Sequence, residues 1–364
     1  MILINLATLN IKAIPDYSYI TDNTFHEIIY DTKIIKNLLE SNIITDNHKK
    51  LLLRIYNKMD NGVLNVKYNN LLGNIGRFYP ESNISLLYLP RMIKHTIFKS
   101  EKWIDIDIVK SYPTIIYEIG RINGHNFHTI YEYINNFEDI CNMFRDFYSD
   151  KLTNSSIKNL FNNSIFGGNF ITWVHHIENN TNDKNGRKDI NILKGLDCCY
   201  NEEYSDYDHY MFVNYKYTDK NIKLKTHKVN PFYEQYLKEF KIFFNIILVN
   251  NTELINLVIK DLKNKSIVYN QKKINYLTLH HFFGTIESYI ISISYNFLLE
   301  QQIIVPGNVI LEFDGICIPN FPHFKDKNII NQILKELNEK IYRLTNMNFK
   351  FIYKAYEDTL KINF

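Results

Sequence analysis

The chain has 364 residues, 45% of them hydrophobic, which is enough to bury a large core and argues against a disordered protein. Lys and Arg number 42 against 39 Asp and Glu, so the net charge of +3 predicts no general affinity for polyanions. The four cysteines lack the spacing of structural zinc sites, and no apolar run reaches the ~18 residues of a membrane span. We therefore expect a soluble, intracellular protein with reduced thiols and no membrane partner.

The N-terminal part of the chain, residues 1–98, is expected to be helical and then rich in loops. Apolar residues recur at helical spacing from about 24 to 60, with a break at Thr45-Asp46-Asn47, which predicts two or three helices. Glycines and prolines interrupt the pattern from Leu71 to His95. Four basic residues in this segment are candidates to bind nucleic-acid phosphates, a contact that needs no sequence readout. They are Arg77, Arg91, Lys94 and His95.

Two strand signals further along the chain each carry an aspartate. Residues 103 to 109 alternate in polarity, which predicts a strand with Asp105 and Asp107 on one face. Residues 309 to 319 predict two strands that meet at Asp314-Gly315, so a carboxylate lies at a hairpin tip. If these strands lie side by side, Asp107 and Asp314 meet at one edge of a sheet. Such carboxylates suit the two divalent ions of phosphoryl transfer, and Asp105 ranks next as a metal ligand.

Most of the remaining chain is expected to be helical. Helical spacing predicts helices at residues 125–166, 231–249, 277–300 and about 329–344, followed by a strand at 349–353. The stretch from 179 to 219 is rich in Asn, Asp and Tyr and has the pattern of an insertion.

One predicted helix carries a second candidate site. Lys158, Asn162 and Phe166 follow each other at intervals of four residues, so they share one helix face. A lysine there would neutralise triphosphate charge, and an aromatic ring would stack against a base. An ordinary amphipathic helix with a core Phe and a solvated Lys is an equally good interpretation of this segment alone.

Four segments, taken in order, carry a resemblance to a polymerase family. Asp107 to Pro113 resembles the first palm motif of family B DNA polymerases, in which Asp is followed six positions later by Pro. Lys158 to Gly167 resembles the fingers-helix motif of family A polymerases and phage-type RNA polymerases. Leu311 to Gly315 looks like the third motif, a hairpin that carries an Asp, and Gly73 to Arg77 is similar to the upstream Gly-Arg motif. The order resembles the transposon and virus polymerase group (TV-Pol), over about residues 70 to 360.

The resemblance implies an α+β fold, a right-hand polymerase core with an antiparallel-sheet palm and helical fingers, plus the helical and loop-rich N-terminal region. The implied boundaries are 1–98 for the N-terminal region, 99–124 for the first part of the palm, 125–235 for the fingers with an insertion at about 170–230, and 236–364 for further helices and the second part of the palm. Only about 70 residues precede the Gly-Arg motif, so we expect no proofreading exonuclease domain.

The implied activity is template-dependent DNA synthesis with two Mg²⁺ ions, in the replication of a virus or mobile element. The resemblance makes Asp107, Asp314 and Lys158 catalytic. The implied nucleotide-binding residues are Tyr112, Asn162, Phe166 and Gly167. The expected partners are a primer-template and deoxynucleoside triphosphates, with a helicase or primase as a further partner.

Two aromatic residues bear on the choice of sugar. Tyr112 stands five residues after Asp107, where family B DNA polymerases carry a Tyr whose ring blocks a ribose 2′-hydroxyl. Phe166 stands where phage-type RNA polymerases use a Tyr hydroxyl to select ribose. Both residues imply a preference for deoxynucleotides.

The chain also departs from the family pattern. Asn154 takes the place of an Arg that family A polymerases usually carry four residues before the helix Lys, so another cation, such as Lys151, has to serve there. Two alternatives to a DNA polymerase stay open. One is a primase or single-subunit RNA polymerase, and the other is a catalytically inactive, polymerase-like module that binds nucleic acid.

Overall fold

The computed structural model of the protein describes residues 17–29, 32–70, 72, 75–82, 84–100, 103–179, 222–319, 327–354, 356 and 360. Gly73 and most of the expected insertion at 170–230 therefore lie outside the described residues. The helices are α1 (Ser18–Thr21), α2 (Lys33–Glu40), α3 (Asp46–Lys58), α4 (Arg91–Ser100), α5 (Ser111–Ile122), α6 (His128–Asn135), α7 (Phe137–Phe147), α8 (Asn154–Ile165), α9 (Phe170–Asn179), α10 (Pro231–Asn250), α11 (Thr252–Asn264), α12 (Gln271–Glu300) and α13 (Lys327–Thr345). The strands are β1 (Thr24–Ile28), β2 (Val63–Asn70), β3 (Phe78–Pro80), β4 (Trp103–Ile108), β5 (Ile310–Leu311), β6 (Gly315–Pro319) and β7 (Phe351–Lys354).

The chain divides into two compact units. The first contains the described residues from Tyr112 to His280, and the second contains those up to Ser111 and from His281 onward. All strand pairings between the described strands are antiparallel. This combination of helices with antiparallel sheets agrees with the predicted α+β class.

The N-terminal part of the second unit contains a sheet that the sequence did not predict. Its strands lie in the order β1-β2-β3. The expectation of helices throughout residues 24–60 was wrong for β1, because Phe25 and Glu27 alternate with less buried neighbours and β2 pairs with the whole strand. Helices α2 and α3 were predicted correctly, and α3 begins after Thr45, whose hydroxyl accepts a hydrogen bond from the His48 amide.

The second sheet of this unit contains the strands that carry the aspartates. Its order is β5-β6-β4-β7, so β4 lies between β6 and β7. Trp103 pairs with Pro319 at one end of β4, and Asp107 pairs with Gly315 near the other. The predicted strand at 103–109, the hairpin at 309–319 and the final strand are therefore confirmed.

The first unit is a set of helices around an aromatic core. The buried ring of Phe161 on α8 lies 4.4 Å from that of Tyr133 and 4.8 Å from that of Tyr236, measured between ring centroids. The buried Glu239 on α10 accepts hydrogen bonds from the amides of Thr129 and Ile130, both at 3.0 Å, and so caps the first turn of α6. These contacts fix α6, α8 and α10 against one another.

Five of the described helices were not predicted: α1, α4, α5, α9 and α11. The expectation of loops up to His95 was wrong for α4, because Ile93 and Ile97 lie one turn apart and are both buried. Helix α5 begins shortly after β4 and contains Pro113 in its first turn. Proline is tolerated there because its missing N–H would have no partner within the helix. Helix α11 follows α10 after a single residue, Asn251. Among the described residues no single helix is both long and apolar enough to cross a membrane, although α10 and α11, bent by 82°, pass that test as a pair.

Candidate active site

The structure brings Asp107 and Asp314 to neighbouring backbone positions in the second unit. Asp107 pairs with Gly315 across β4 and β6, and the Ile108 amide donates a hydrogen bond of 2.9 Å to the carbonyl oxygen of Asp314. The Glu312 amide donates to the Gly315 carbonyl at 2.9 Å, which closes the hairpin. Asp314 thus lies at the hairpin tip, beside the end of the strand that carries Asp107.

Gly315 allows this close approach. A Cβ atom at this position would lie 2.7 Å from the carbonyl oxygen of Ile106 and 3.2 Å from Oδ1 of Asp107. The first distance is shorter than any normal contact, so a side chain would push the hairpin away from β4. The glycine therefore keeps the Asp107 carboxylate directly against the hairpin.

Two lysines neutralise carboxylates on this sheet. The Lys354 ammonium forms an ion pair with Oδ2 of Asp107, and the Lys94 ammonium donates to Oε1 of Glu312 at 2.5 Å. Against the effect of burial, the Lys94 charge lowers the pKa of Glu312. The Cys317 thiol also donates to Oε1 of Glu312, at 3.2 Å. Oε1 of Glu312 therefore accepts hydrogen bonds from two side chains of the protein itself.

Asp105 lies on the same sheet face as Asp107. It pairs in register with Cys317 on one side and with Lys354 on the other. Burial raises the pKa of Asp105 to about 7, the Glu312 charge adds to the effect, and the Lys94 charge opposes it. The Asp314 charge also raises this pKa, although it is the smallest contribution.

The donor set suits a hard divalent cation. Carboxylate oxygens are the ligands that Mg²⁺ prefers, and one or two of them are enough when substrate phosphates supply further oxygens. Within the described ranges, no group of three or more His, Cys, Asp or Glu side chains could hold a metal ion by itself. The Lys354 ammonium pairs with Asp107, so an ion would have to displace it from this carboxylate. Asp107 and Asp314 thus carry the type of ligand atom that such an ion prefers.

The candidate nucleotide-binding residues lie in the first unit. Lys158 is exposed on α8, Asn162 is half-buried one turn later, and Phe166 ends the helix as its C-cap. The rings of Tyr112 and Phe166 meet edge to face with centroids 5.0 Å apart. The structure thus brings together the two aromatic residues that the sequence linked to sugar choice.

Gly167 holds a backbone conformation that favours glycine. Its φ is +89°, and a Cβ atom would lie 2.8 Å from the ring of Tyr276. The ring of His280 lies 6.1 Å from that of Phe166. The turn after α8 is therefore packed closely against the first part of α12.

No protein-family model matches the sequence, and no curated protein matches it. Among solved structures, the chain is similar to the POL domain of Pol1 from M. smegmatis, determined in complex with DNA primer-template and dNTP. The sequence identity is 10% and the TM-score is 0.44, over 86% of this chain and 51% of that chain. The chain thus spans about half the length of that protein.

The four basic residues expected to bind phosphates lie in different environments. Arg91 is exposed at the start of α4. Lys94 is paired with Glu312, and His95 is buried with its ring 5.1 Å from that of Tyr356. Arg77 is only 4% exposed, and its Nε donates to Oε2 of the buried Glu287 at 2.7 Å. Arg91 thus occupies the expected surface position, whereas Arg77 and His95 lie inside the protein.

Sequence reasoning missed several residues around these sites. The sequence gives one indication that Glu287 is unusual, since it is the only acidic residue in α12 before the terminal Glu300. No sequence pattern points to Arg145. Its guanidinium donates a hydrogen bond to the side chain of Asn154, the residue that replaces the Arg of the family pattern. Arg145 also donates to the Leu152 carbonyl at 3.0 Å, so a cation does lie beside the start of α8.

Proposed function

We propose that the chain is a template-dependent DNA polymerase in which Asp107 and Asp314 bind the divalent ions of nucleotidyl transfer. The observation that carries the proposal is the register of Asp107 with Gly315, which sets Asp107 beside the hairpin residue that follows Asp314. The order of the polymerase-like motifs along the chain supports it independently. In this proposal the β5-β6-β4-β7 sheet belongs to the palm, and helices α6 to α9 belong to the fingers.

Each candidate residue then has a defined task. Two Mg²⁺ ions would activate the primer 3′-hydroxyl and stabilise the charge on the pyrophosphate leaving group. Asp107 and Asp314 would hold these ions, with Asp105 on the same sheet face as Asp107. The exposed Lys158 would neutralise triphosphate charge, and Arg91 would contact the phosphates of the primer-template.

The contact between Tyr112 and Phe166 supports DNA over RNA as the product. Two rings that meet at 5.0 Å limit each other's movement and leave no hydroxyl at position 166. A wall formed by the two rings would leave too little room for a ribose 2′-hydroxyl. The substrates in this proposal are deoxynucleoside triphosphates.

One observation favours a second candidate, a polymerase-like module that binds nucleic acid without catalysis. The Lys354 ammonium neutralises Asp107, as a cation would in a site that has lost its metal. The two candidates differ in whether Mg²⁺ can displace Lys354 from this carboxylate.

Extension of a labelled primer on defined DNA templates tests the proposed function. We expect Mg²⁺-dependent addition of the deoxynucleotide complementary to each template base, and little addition of ribonucleotides. Synthesis without a primer, from ribonucleotides, would favour a primase or RNA polymerase. A folded protein that binds primed DNA but adds no nucleotide would favour the inactive module. A helicase or primase partner stays a prediction.

A further inference from the structure

We propose that Glu287 is a positioning residue that holds the Asp107 strand and the Asp314 hairpin in the geometry needed to bind metal. The inference rests on the proposed function, because it concerns the same carboxylates. Glu287 is fully buried in the second unit. Its two carboxylate oxygens accept hydrogen bonds from different segments, Oε2 from Arg77 at 2.7 Å and Oε1 from Ser111 at 2.9 Å.

The Ser111 bond fixes the segment that follows Asp107. Ser111 stands four residues after Asp107, and between them the Val109 amide donates to the Lys350 carbonyl at 2.9 Å. Lys110 has a φ of +48°, so the chain turns sharply at this point. The Ser111 hydroxyl therefore ties the exit of β4 to a buried point on α12.

The Arg77 bond fixes the hairpin. The Arg77 guanidinium lies over the ring of Phe313 with its central carbon 4.6 Å from the ring centroid, and Phe313 immediately precedes Asp314. The ring of Tyr79 lies 5.7 Å from that of Phe313. Since Glu287 orients the guanidinium, it also determines the surface on which the hairpin tip rests.

The sequence of α12 matches the segment that carries Arg77. A Cβ atom at Gly284 would lie 2.9 Å from the backbone nitrogen of Arg77, so only glycine permits this approach. The Thr285 hydroxyl accepts a hydrogen bond from the Gly76 amide at 2.8 Å, and the Ser288 hydroxyl donates to the Gly76 carbonyl at 2.9 Å. Together with Glu287, these three residues of α12 hold Gly76 and Arg77 in place.

A gain in stability does not by itself explain the buried contacts of Glu287 with Arg77 and Ser111. A buried ion pair loses the hydration of both charges, and well-packed apolar side chains often stabilise a core at least as much. A charged pair that joins three chain segments does specify their relative positions. Because the site needs two carboxylates at a fixed separation, the network has a purpose that apolar packing would serve less well.

Manganese binding measured by electron paramagnetic resonance tests the inference without depending on catalysis. The variants are Ser111→Ala, which removes one hydrogen bond to Glu287, and Glu287→Gln, which removes the charge. Ser294→Ala is the matched control, since Ser294 is buried on the same helix and donates only to the Ile290 carbonyl within it. Thermal unfolding, measured in parallel, shows which variants are folded.

We expect Ser111→Ala and Glu287→Gln to weaken Mn²⁺ binding about 10-fold, as is typical for residues that orient metal ligands, while Ser294→Ala binds like the parent. Parental affinity in folded Ser111→Ala would overturn the inference, even if Glu287→Gln fails to fold. A parent that binds Mn²⁺ through Asp107 but extends no primer would count against the polymerase proposal and leave the positioning role intact. A parent that binds no Mn²⁺, with or without a deoxynucleoside triphosphate, would overturn both.

Discussion

Replacement of Lys354 by Met should increase the affinity of the protein for divalent cations. In the free protein the Lys354 ammonium forms an ion pair with the Asp107 carboxylate. A metal ion needs the same oxygen atoms, so it must displace the ammonium before it can bind. Met has a similar length and no charge, and it removes this competitor without leaving a large gap.

The size of the effect follows from the exposure of the pair. The Lys354 side chain is 40% exposed and that of Asp107 is 13% exposed, so solvent screens the pair in part. Exposed ion pairs contribute about 0.2–1 kcal/mol, and the buried carboxylate puts this one near the upper end of that range. Loss of a competing contact of about 1 kcal/mol raises metal affinity roughly 5-fold. The free energy of unfolding of the metal-free protein should fall by about the same amount.

Isothermal titration with Mn²⁺, together with urea unfolding in the absence of metal, measures both quantities. Lys340→Met is a suitable control, because Lys340 pairs with Glu300 in another half-exposed ion pair of the second unit. We expect the control to leave metal affinity unchanged. Unchanged or weaker Mn²⁺ binding by Lys354→Met would refute the reasoning, because it would show that Lys354 and the metal do not compete for Asp107.

Three further predictions concern single positions. Gly315→Ala puts a methyl group 2.7 Å from the Ile106 carbonyl oxygen, so we expect urea unfolding to show a loss of about 1–3 kcal/mol; parental stability would contradict the close approach. Burial raises the pKa of Glu27 from its ordinary value of 4.5 to about 7, so the folded protein keeps a proton that the unfolded chain releases. The free energy of unfolding should therefore fall as the pH rises from about 4.5 to 7. Glu27→Gln should make this dependence on pH weaker, and an equal dependence in parent and variant would contradict the raised pKa of Glu27. Tyr112→Ala should raise ribonucleotide incorporation in primer extension, and unaltered sugar selectivity would exclude Tyr112 as the gate.

The sequence predicted the parts of the site that depend on local pattern. Alternation from Trp103 to Ile108 and the turn at Asp314-Gly315 are short-range signals, and the structure has a strand and a hairpin there. Strand β1 was missed because Ile28 and Ile29 also fit helical spacing, while its pairing with β2 depends on residues about 40 positions away. Long helices such as α10 were predicted more reliably because their apolar pattern repeats over several turns.

Residues that act through distant partners could not be predicted in the same way. Arg77 and Glu287 are separated by 210 positions, and nothing near either residue indicates the other. Arg77 was therefore expected on the surface, although its charge is neutralised inside the second unit. Lys354 lies just beyond the predicted strand at 349–353, and its position next to Asp107 depends on the sheet order, which places β7 beside β4. Contacts between residues so far apart in the sequence depend on the order in which strands and helices pack, and short motifs do not determine that order.

The central claim is that Asp107 and Asp314 together make the chain a metal-dependent polymerase. Primer extension by the parent, Asp107→Asn and Asp314→Asn tests it most directly, with thermal unfolding and binding of primed DNA measured on the same preparations. The account predicts template-directed extension by the parent in Mg²⁺, and a loss of extension in both variants while they remain folded and bind DNA. Extension that survives either substitution would contradict it.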